Sequence, residues 1–182
     1  EYPKVAEIIA QQIITLIKQK IAKQQASNLV IGILGYGTMG KSIAKSFVKE
    51  GFTVIAYDKN RGKRQDGANI SHYDNSAVLI ANADVIVGCT GEDITAIKQN
   101  LSALLYSRQK KWLINAGSKD HEFNSLLRTI QNEARSLGYV PKPLHTIRYE
   151  NRGGAELEII RGGFPANFTN QQHSVSPRHI WP

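Results

Sequence analysis

The sequence predicts a three-layer α/β domain built on a doubly wound, mostly parallel sheet. Two observations predict it. Short apolar runs alternate with amphipathic segments at the spacing of strand–helix–strand units, and a glycine-rich turn follows the first of these runs. The strand predicted over residues 84–89 is apolar from Val85 onward, as is typical of parallel strands buried on both faces. We expect an N-terminal helix before this sheet and a C-terminal β-hairpin after it.

The N-terminal helix is predicted over residues 3–24, where apolar side chains recur at helical spacing. Its apolar face consists of Val5, Ile9, Ile13, Leu16 and Ile17. Such a helix packs either on its own sheet or on a partner subunit, and the sequence leaves both open. We expect the chain to divide into this helical segment, residues 1–28, and an α/β domain over residues 29–182.

The remaining elements follow in alternation. Strands are predicted at residues 29–34, 52–57, 84–89 and 111–115, and helices at residues 38–50, 76–81, 94–105 and 121–137. Residues 59–73 are polar and rich in turn formers, so no element is predicted there. Segments 145–149 and 155–160 flank Asn151-Arg152-Gly153-Gly154, a strong hairpin turn.

The most informative segment is GYGTMG, which joins the first strand to the next helix. Its pattern G-x-G-x-x-G is that of the dinucleotide-binding turn of Rossmann-type folds. Gly35 permits the tight turn, Gly37 lets the backbone approach a pyrophosphate, and Gly40 allows the helix to pack closely on the strand. The helix beginning near Thr38 then presents free N–H groups and its positive dipole end to the phosphates.

Asp58 closes the second strand, at the place where a carboxylate accepts the hydroxyl groups of the adenosine ribose. A carboxylate there repels a 2′-phosphate, so the sequence favours NAD over NADP. Arg61 and Lys63 follow shortly after and could soften this preference by pairing with a phosphate.

The same glycine turn also fits the phosphate loop of nucleotide triphosphatases, GxxxxGK[ST]. In that interpretation Lys41 would reach the β- and γ-phosphates and Ser42 would hold Mg²⁺. A phosphate loop requires neither Gly37 nor an acid closing the next strand, so we favour the dinucleotide interpretation.

Composition narrows the class of protein. The 182-residue chain has a net charge of +8, but its Lys and Arg residues are spread along the sequence, so nucleic acid is an unlikely partner. Cys89 is the single cysteine, which excludes an internal disulfide and is compatible with a cytoplasmic protein. It is expected to be a small buried residue rather than a nucleophile. The five histidines have no metal-site spacing, and no apolar run is long enough for a membrane span.

Four motifs in order resemble the NAD-binding domain of S-adenosylhomocysteine hydrolase. They are GYGTMGKS from Gly35, DVIVGCTG from Asp84, NAGSKDHEF from Asn115, and the distal hairpin followed by GGFPANF. The resemblance implies a shortened or stand-alone relative that binds NAD. The residues expected to bind the cofactor are Gly35, Tyr36, Gly37, Thr38, Met39, Gly40, Asp58, Thr90, Gly91, Asn115, Asn167 and His173. Asp120 and Glu122 are expected to cap the helix that follows them.

The departures from that family matter as well. Ser118 stands where the family has a histidine that contacts the cofactor, and no segment is long enough for the family's substrate domain. We therefore expect an NAD-binding module, with hydride transfer if substrate groups come from elsewhere, and assign no catalytic residue. The alternatives are a nonenzymatic NAD-responsive sensor or assembly module, or a small NAD(P)H-dependent reductase. A homo-oligomer is expected.

Overall fold

The chain forms one sheet flanked by helices on both faces. The structure is a computed structural model that describes residues 2–20, 28–63, 69–117, 119–139, 145–161 and 174–175. The strands are β1 (Val30–Leu34), β2 (Thr53–Tyr57), β3 (Ile70–His72), β4 (Val85–Gly88), β5 (Lys111–Asn115), β6 (Thr146–Glu150), β7 (Glu156–Ile160) and β8 (Ser174–Val175). The helices are α1 (Tyr2–Lys20), α2 (Thr38–Lys49), α3 (Ser76–Asn82), α4 (Lys98–Leu105) and α5 (Asn124–Ser136), with single 3₁₀ turns at Arg61–Lys63 and Ile94–Ala96.

The strand order is β3-β2-β1-β4-β5-β7-β6-β8. All neighbouring pairs from β3 to β7 are parallel, β6 runs antiparallel to β7, and β8 runs parallel to β6. The order reverses between β1 and β4, and ligands of open α/β sheets bind at such a switch point. The predicted fold class is therefore confirmed, with its mostly parallel sheet and its C-terminal hairpin.

Two hydrophobic cores separate the layers. Helices α1 and α2 cover one face of the sheet, where Ile31, Val54 and Val87 point toward them. Helices α3, α4 and α5 cover the other face, with Ile86 and Leu113 among the strand residues on that side. Successive strand residues alternate between the two cores because side chains of a strand point to opposite faces.

Helix α1 packs on its own domain. Ile9, Ile13, Leu16 and Ile17 of its apolar face are all buried in the same core as α2 and the sheet, whereas Val5 is exposed. Of the two options open from sequence, the structure selects the sheet of the same chain. The predicted division at residue 28 stays a prediction about how the chain is organised.

Three predicted elements differ from the structure. Strand β3 lies within the segment expected to be irregular; it is only three residues long and gains its order by pairing with β2 at the sheet edge. The helix expected over residues 94–105 is divided at the extended Ile97. Helix α5 begins at Asn124, because the residues before it turn inward toward the sheet.

The turn of the β6–β7 hairpin is fixed by Asn151. Its Nδ2 donates to the carbonyls of Leu104 and Ser107, each at 2.9 Å, and its Oδ1 accepts from the N–H groups of Gly153 and Ala155. This buried side chain thus joins the hairpin to the end of α4.

We expect Asn151→Ala to lower the free energy of unfolding by about 3 kcal/mol, because it leaves two carbonyls and two N–H groups without their partner. Urea denaturation followed by circular dichroism measures this. The matched control is Asn82→Ala, which removes one exposed side-chain bond to Val78 and should cost less than about 1 kcal/mol. Equal losses in the two variants would contradict the assignment.

Candidate functional site

A cleft lies at the carboxyl edge of the sheet, at the switch point between β1 and β4. Its volume is about 370 Å³, within the range of small-molecule sites. Loops after β1, β2 and β4 surround it, and Asn100 of α4 lies at its border. Lining residues from these loops include Gly35, Gly37, Asp58, Lys59, Lys63, Thr90, Glu92 and Ile97.

The glycine turn brings three backbone segments together. Gly35 has φ +94°, and a Cβ there would lie 2.6 Å from the carbonyl oxygen of Cys89. A Cβ at Gly40 would overlap the carbonyl oxygen of Gly35. At Gly37 the nearest atom to an added Cβ is Nζ of Lys63 at 3.9 Å, so this side of the turn faces open space. Gly35 and Gly40 are thus required by the fold, whereas Gly37 leaves room for a ligand.

Helix α2 points its amino end into the cleft. It begins at Thr38, and its N-cap Gly37 supplies no side-chain cap, so the first N–H groups of the helix depend on other acceptors. The side chain of Thr38 is exposed, whereas Met39 packs against the core. Met39 was predicted to bind the cofactor. Because its side chain packs against the core, any such contact would be made by its backbone.

The helix start argues against a phosphate loop. In the phosphate-loop motif the helix opens at the Gly-Lys pair, whereas here Gly40 and Lys41 already lie within α2. Nζ of Lys41 lies 5.8 Å from the ring centroid of Tyr36. The triphosphatase interpretation does not fit this geometry.

Asp58 supports the glycine turn from the end of β2. Its Oδ2 accepts the N–H of Tyr36 at 2.7 Å, and its Oδ1 accepts that of Asn60 at 2.8 Å. The ring of Tyr36 is buried edge-on against His72, and this burial raises the pKa of Tyr36. The Tyr36 side chain therefore points away from the cleft, whereas Asp58 lines it.

Basic residues frame the same side of the cleft. Nζ of Lys59 lies 2.6 Å from Oε1 of Glu92, so an ion pair links the loops after β2 and β4. Both side chains are largely exposed, and such a pair contributes little stability. Lys63 reaches back toward Gly37, close to the dipole end of α2.

The turn after β4 is held by a buried carboxylate. Glu122, fully buried, accepts hydrogen bonds from the N–H and hydroxyl of Thr90 and from the N–H of Gly91, at 2.7–2.9 Å. Desolvation raises the pKa of Glu122, opposed by these bonds and by His121. Desolvation, with Glu122 nearby, also raises the pKa of the Cys89 thiol. The side chain is half-buried and lines the cleft, so the full burial expected from the sequence is not found.

Sequence reasoning missed this role of Glu122. The expectation that it caps α5 is wrong, since the helix begins at Asn124 and the carboxylate points under β4. The signal lay in Gly88, because a Cβ there would lie 2.8 Å from Oε1 of Glu122. A glycine at the end of an otherwise bulky strand indicates that another group needs that space.

Asn115 lies at the end of β5, beside this turn. It is 1% exposed, and its Nδ2 donates to the carbonyl of Lys119 at 2.9 Å. Its Oδ1 is buried without a hydrogen-bond partner in the described part of the chain. A buried acceptor left unpaired costs free energy, so this atom is suited to a donor on a ligand.

Two predicted contacts, Asn167 and His173, lie outside the described residues. Within the described ranges, no group of three or more His, Cys, Asp or Glu side chains is placed to hold a metal ion. None of the helices in those ranges is long and apolar enough to cross a membrane.

Comparison with known proteins identifies the family. The model of the D-isomer specific 2-hydroxyacid dehydrogenase, NAD binding domain, matches residues 5–133. The chain belongs to this family. The expected cofactor, NAD, is therefore confirmed. The residues present fit it, because the turn is open at Gly37 and the buried Oδ1 of Asn115 has no hydrogen-bond partner among the described residues.

Known relatives of this 2-hydroxyacid dehydrogenase domain are longer proteins. Arogenate dehydrogenase 1, chloroplastic, of Arabidopsis thaliana is 34% identical over 89 residues, which are 47% of this chain and 13% of that protein. An uncharacterized oxidoreductase of Synechocystis sp. is 33% identical over 67 residues, 35% of this chain and 23% of that protein. The matches thus span less than a quarter of either relative.

Solved structures confirm the fold of the domain. An NAD-complexed D-isomer specific 2-hydroxyacid dehydrogenase from Lactobacillus delbrueckii ssp. bulgaricus has a TM-score of 0.52 at 20% identity, covering 72% of this chain and 46% of that one. D-lactate dehydrogenase with NAD⁺ from Lactobacillus jensenii has a TM-score of 0.51 at 20% identity, covering 72% and 45%. This chain therefore spans about half of those enzymes.

The resemblance to S-adenosylhomocysteine hydrolase is wrong at the level of family. The family match and the solved structures point instead to the 2-hydroxyacid dehydrogenase domain. The glycine turn that opened the comparison is required by this fold, since Gly35 and Gly40 sit where a Cβ would meet backbone. A hydrolase activity of the kind that family's name implies is therefore not supported either.

The second and third glycines of the motif separate folding from ligand access. We expect Gly40→Ala to lower the free energy of unfolding by about 3 kcal/mol or more, because its Cβ overlaps backbone that cannot move aside. Gly37→Ala adds a methyl group in open space at φ −80° and should cost less than about 1 kcal/mol. Thermal and urea unfolding measure both, and a Gly40→Ala protein as stable as the wild type would contradict the packing argument.

Proposed function

We propose that this chain is the cofactor-holding part of an NAD-dependent oxidoreductase that moves a hydride to or from the hydroxyl-bearing carbon of a small organic acid. The observation that carries the proposal is the convergence of the glycine turn, the amino end of α2 and Asp58 on one cleft at the switch point. Membership in the 2-hydroxyacid dehydrogenase family supports the reaction class.

The adenosine half of NAD would lie between the loops after β2 and β4. Asp58 borders this part of the cleft at the end of β2, the position from which a carboxylate contacts the ribose hydroxyls in dinucleotide-binding folds. Ile97 is 51% exposed at the same border and offers an apolar surface to the adenine ring. The pyrophosphate would meet the backbone between Gly35 and Thr38, where α2 begins.

The nicotinamide half would lie toward Thr90, Gly91 and Asn115. Oδ1 of Asn115 is the buried acceptor there, and an amide or hydroxyl donor of the cofactor would satisfy it. When bound, NAD supplies the carbon that accepts or donates the hydride. At this end the protein would hold the nicotinamide ring against the ends of β4 and β5.

Substrate-binding and acid–base groups would come from outside the described cleft. Lys59, Lys63 and Glu92, the exposed charged groups of its border, lie on the adenosine side. The relatives in this family are longer than the matched region, which leaves room for a second domain. An organic acid as substrate is therefore a proposal from family membership.

The assembly alternative has lost its main support. It required the apolar face of α1 to be available to a partner, and Ile9, Ile13 and Leu16 are buried in the domain itself. A homo-oligomer, the contacts of Asn167 and His173, and a small self-contained reductase stay predictions. Sedimentation of the chain and NADH turnover with 2-oxo acids test the first and last of these.

Calorimetric titration with NAD tests the cofactor site directly. We expect the wild-type chain to bind NAD in the absence of Mg²⁺. We expect it to bind ATP more weakly than NAD. Gly37→Ala should weaken NAD about tenfold or more, because its methyl group occupies the space for the pyrophosphate while the fold is retained. Unchanged affinity in a folded Gly37→Ala protein would remove the glycine turn from the site.

Asp58→Ala should change the ratio of the NADP and NAD dissociation constants about tenfold in favour of NADP, because a carboxylate repels the 2′-phosphate. The ratio isolates the ribose contact, since any loosening of the turn affects both cofactors alike. Asp84→Ala is the matched control: Asp84 likewise accepts a backbone N–H, that of Val30, but at the opposite edge of the sheet. The same shift in both variants would exclude a ribose role for Asp58.

A further inference from the structure

The β4 turn and the start of α5 form one interlocked unit. Besides the bonds of Glu122, Asp93 accepts the N–H and hydroxyl of Ser125 at 2.9 and 2.6 Å, and the hydroxyl of Thr95 accepts the N–H of Leu126. The N–H of Ile94 donates to the carbonyl of Glu122. The chain after β4 is therefore fixed against the segment before α5 at several points.

Glu122 is the buried charge of this unit. In the described part of the chain no Lys or Arg forms an ion pair with it, and its three hydrogen-bond donors all belong to Thr90 and Gly91. Burying a carboxylate costs free energy unless the group is hydrogen-bonded. Here all three compensating hydrogen bonds come from one turn of two residues. Gly88 and Gly117 lie beside it, since a Cβ on either would be within 4 Å of a Glu122 carboxylate oxygen.

The turn that Glu122 holds also forms a wall of the glycine turn. A Cβ at Gly35 would lie 2.6 Å from the carbonyl oxygen of Cys89 and 2.9 Å from the nitrogen of Thr90. The two turns are thus in backbone contact, with no side chain between them to absorb a shift. Displacement of Thr90 and Gly91 changes the shape of the cleft beside the glycine turn.

We propose that Glu122 is a positioning residue for the cofactor: its ionised carboxylate fixes the Thr90–Gly91 turn against the glycine turn and thereby sets the affinity for NAD. This rests on the proposed function, because it requires the cofactor to lie beside that turn. Glu122 acts through the turn's backbone and does not itself touch the cofactor.

The ionised form fits this arrangement, because the two N–H groups can only donate and the hydroxyl of Thr90 donates to Oε1 here. Oε1 accepts both bonds from Thr90, and Oε2 accepts the N–H of Gly91 at 2.7 Å. A proton on Oε2 faces that N–H and releases Gly91, whose φ of +74° is then no longer held. Because desolvation raises the pKa of Glu122, this release occurs at a higher pH than the protonation of an ordinary carboxyl group.

Two other titratable groups face this carboxylate. Cys89 approaches it from the end of β4, and burial raises the pKa of that thiol, so it stays neutral across the range of the test. His121 precedes it in the chain, and its Nε2 lies 2.5 Å from the carbonyl oxygen of Gly91. Any test by pH must therefore separate Glu122 from His121.

The test is NADH binding, measured by fluorescence between about pH 8 and pH 5, with folding checked by circular dichroism at each pH. For the wild type we expect the dissociation constant to rise as pH falls through the titration of Glu122. Glu122→Gln places an amide donor against the N–H of Gly91, as the protonated acid does. This variant should bind NADH about tenfold more weakly than the wild type near neutral pH, and its dissociation constant should lose most of the pH dependence.

Three further variants make the outcome decisive. His121→Asn should keep the loss of affinity as pH falls, with its midpoint at higher pH, because the charge of His121 no longer lowers the pKa of Glu122. Glu133→Gln, at the far end of α5 where Glu133 pairs with Arg152, should keep both the wild-type affinity and its pH profile. Thr90→Val removes one of the three bonds and should give a smaller loss in the same direction, which serves if Glu122→Gln does not fold. Wild-type affinity and profile in Glu122→Gln, or in Thr90→Val where the first does not fold, would overturn the positioning role alone. A wild-type chain that binds no NADH would overturn this role and the proposed function together.

Discussion

The contact of α2 with β1 at Gly40 is the constraint on which the cleft depends. Because no side chain separates Gly40 from the carbonyl of Gly35, the helix begins directly behind the turn and its first N–H groups face the cleft. Gly35 makes the same kind of contact with the β4 turn. The floor of the site is thus backbone packed on backbone, so its shape cannot be adjusted by rotating side chains.

Buried and half-buried acids hold the loops that this packing brings together. Asp58 binds the N–H of Tyr36, Glu122 binds those of Thr90 and Gly91, and Asp93 binds that of Ser125. In a chain of net charge +8, these carboxylates accept hydrogen bonds from backbone donors, and Asp93 also lies 3.9 Å from Arg128. Of the cationic side chains at the border, Lys59 forms an ion pair with Glu92, whereas Lys63 extends toward Gly37 and the start of α2.

The parts of the fold that could be predicted are those with a local signal. The glycine turn, strands β1, β2, β4 and β5, and the hairpin at Asn151 follow from apolar runs and turn residues within a few positions of each other. Strand β3 could not be predicted this way, since three residues without an apolar run depend on pairing with β2. The break at Ile97 likewise follows from tertiary packing, because Asp93 and Asn100 hold the chain on either side.

The site shows the same division more sharply. Gly37 and Asp58 were recognisable because a dinucleotide requires small and acidic residues at fixed places after two strands. Glu122 was not, because its partners are far away in sequence and its acid was assigned to the nearest helix end. Only Gly88, left small to make room for it, marked the contact in the sequence.

Motifs that the backbone requires carry little information about chemistry, and this explains the mistaken family. A glycine turn, the Thr90–Gly91 turn after β4 and an amide at the end of β5 meet requirements of close packing and of the proposed cofactor site, and such features recur among NAD enzymes. The longer match over residues 5–133 distinguishes the 2-hydroxyacid dehydrogenase domain because it includes α1 and the core positions. The residues at those positions depend on how one particular domain packs. They therefore distinguish families whose cofactor-binding residues are similar.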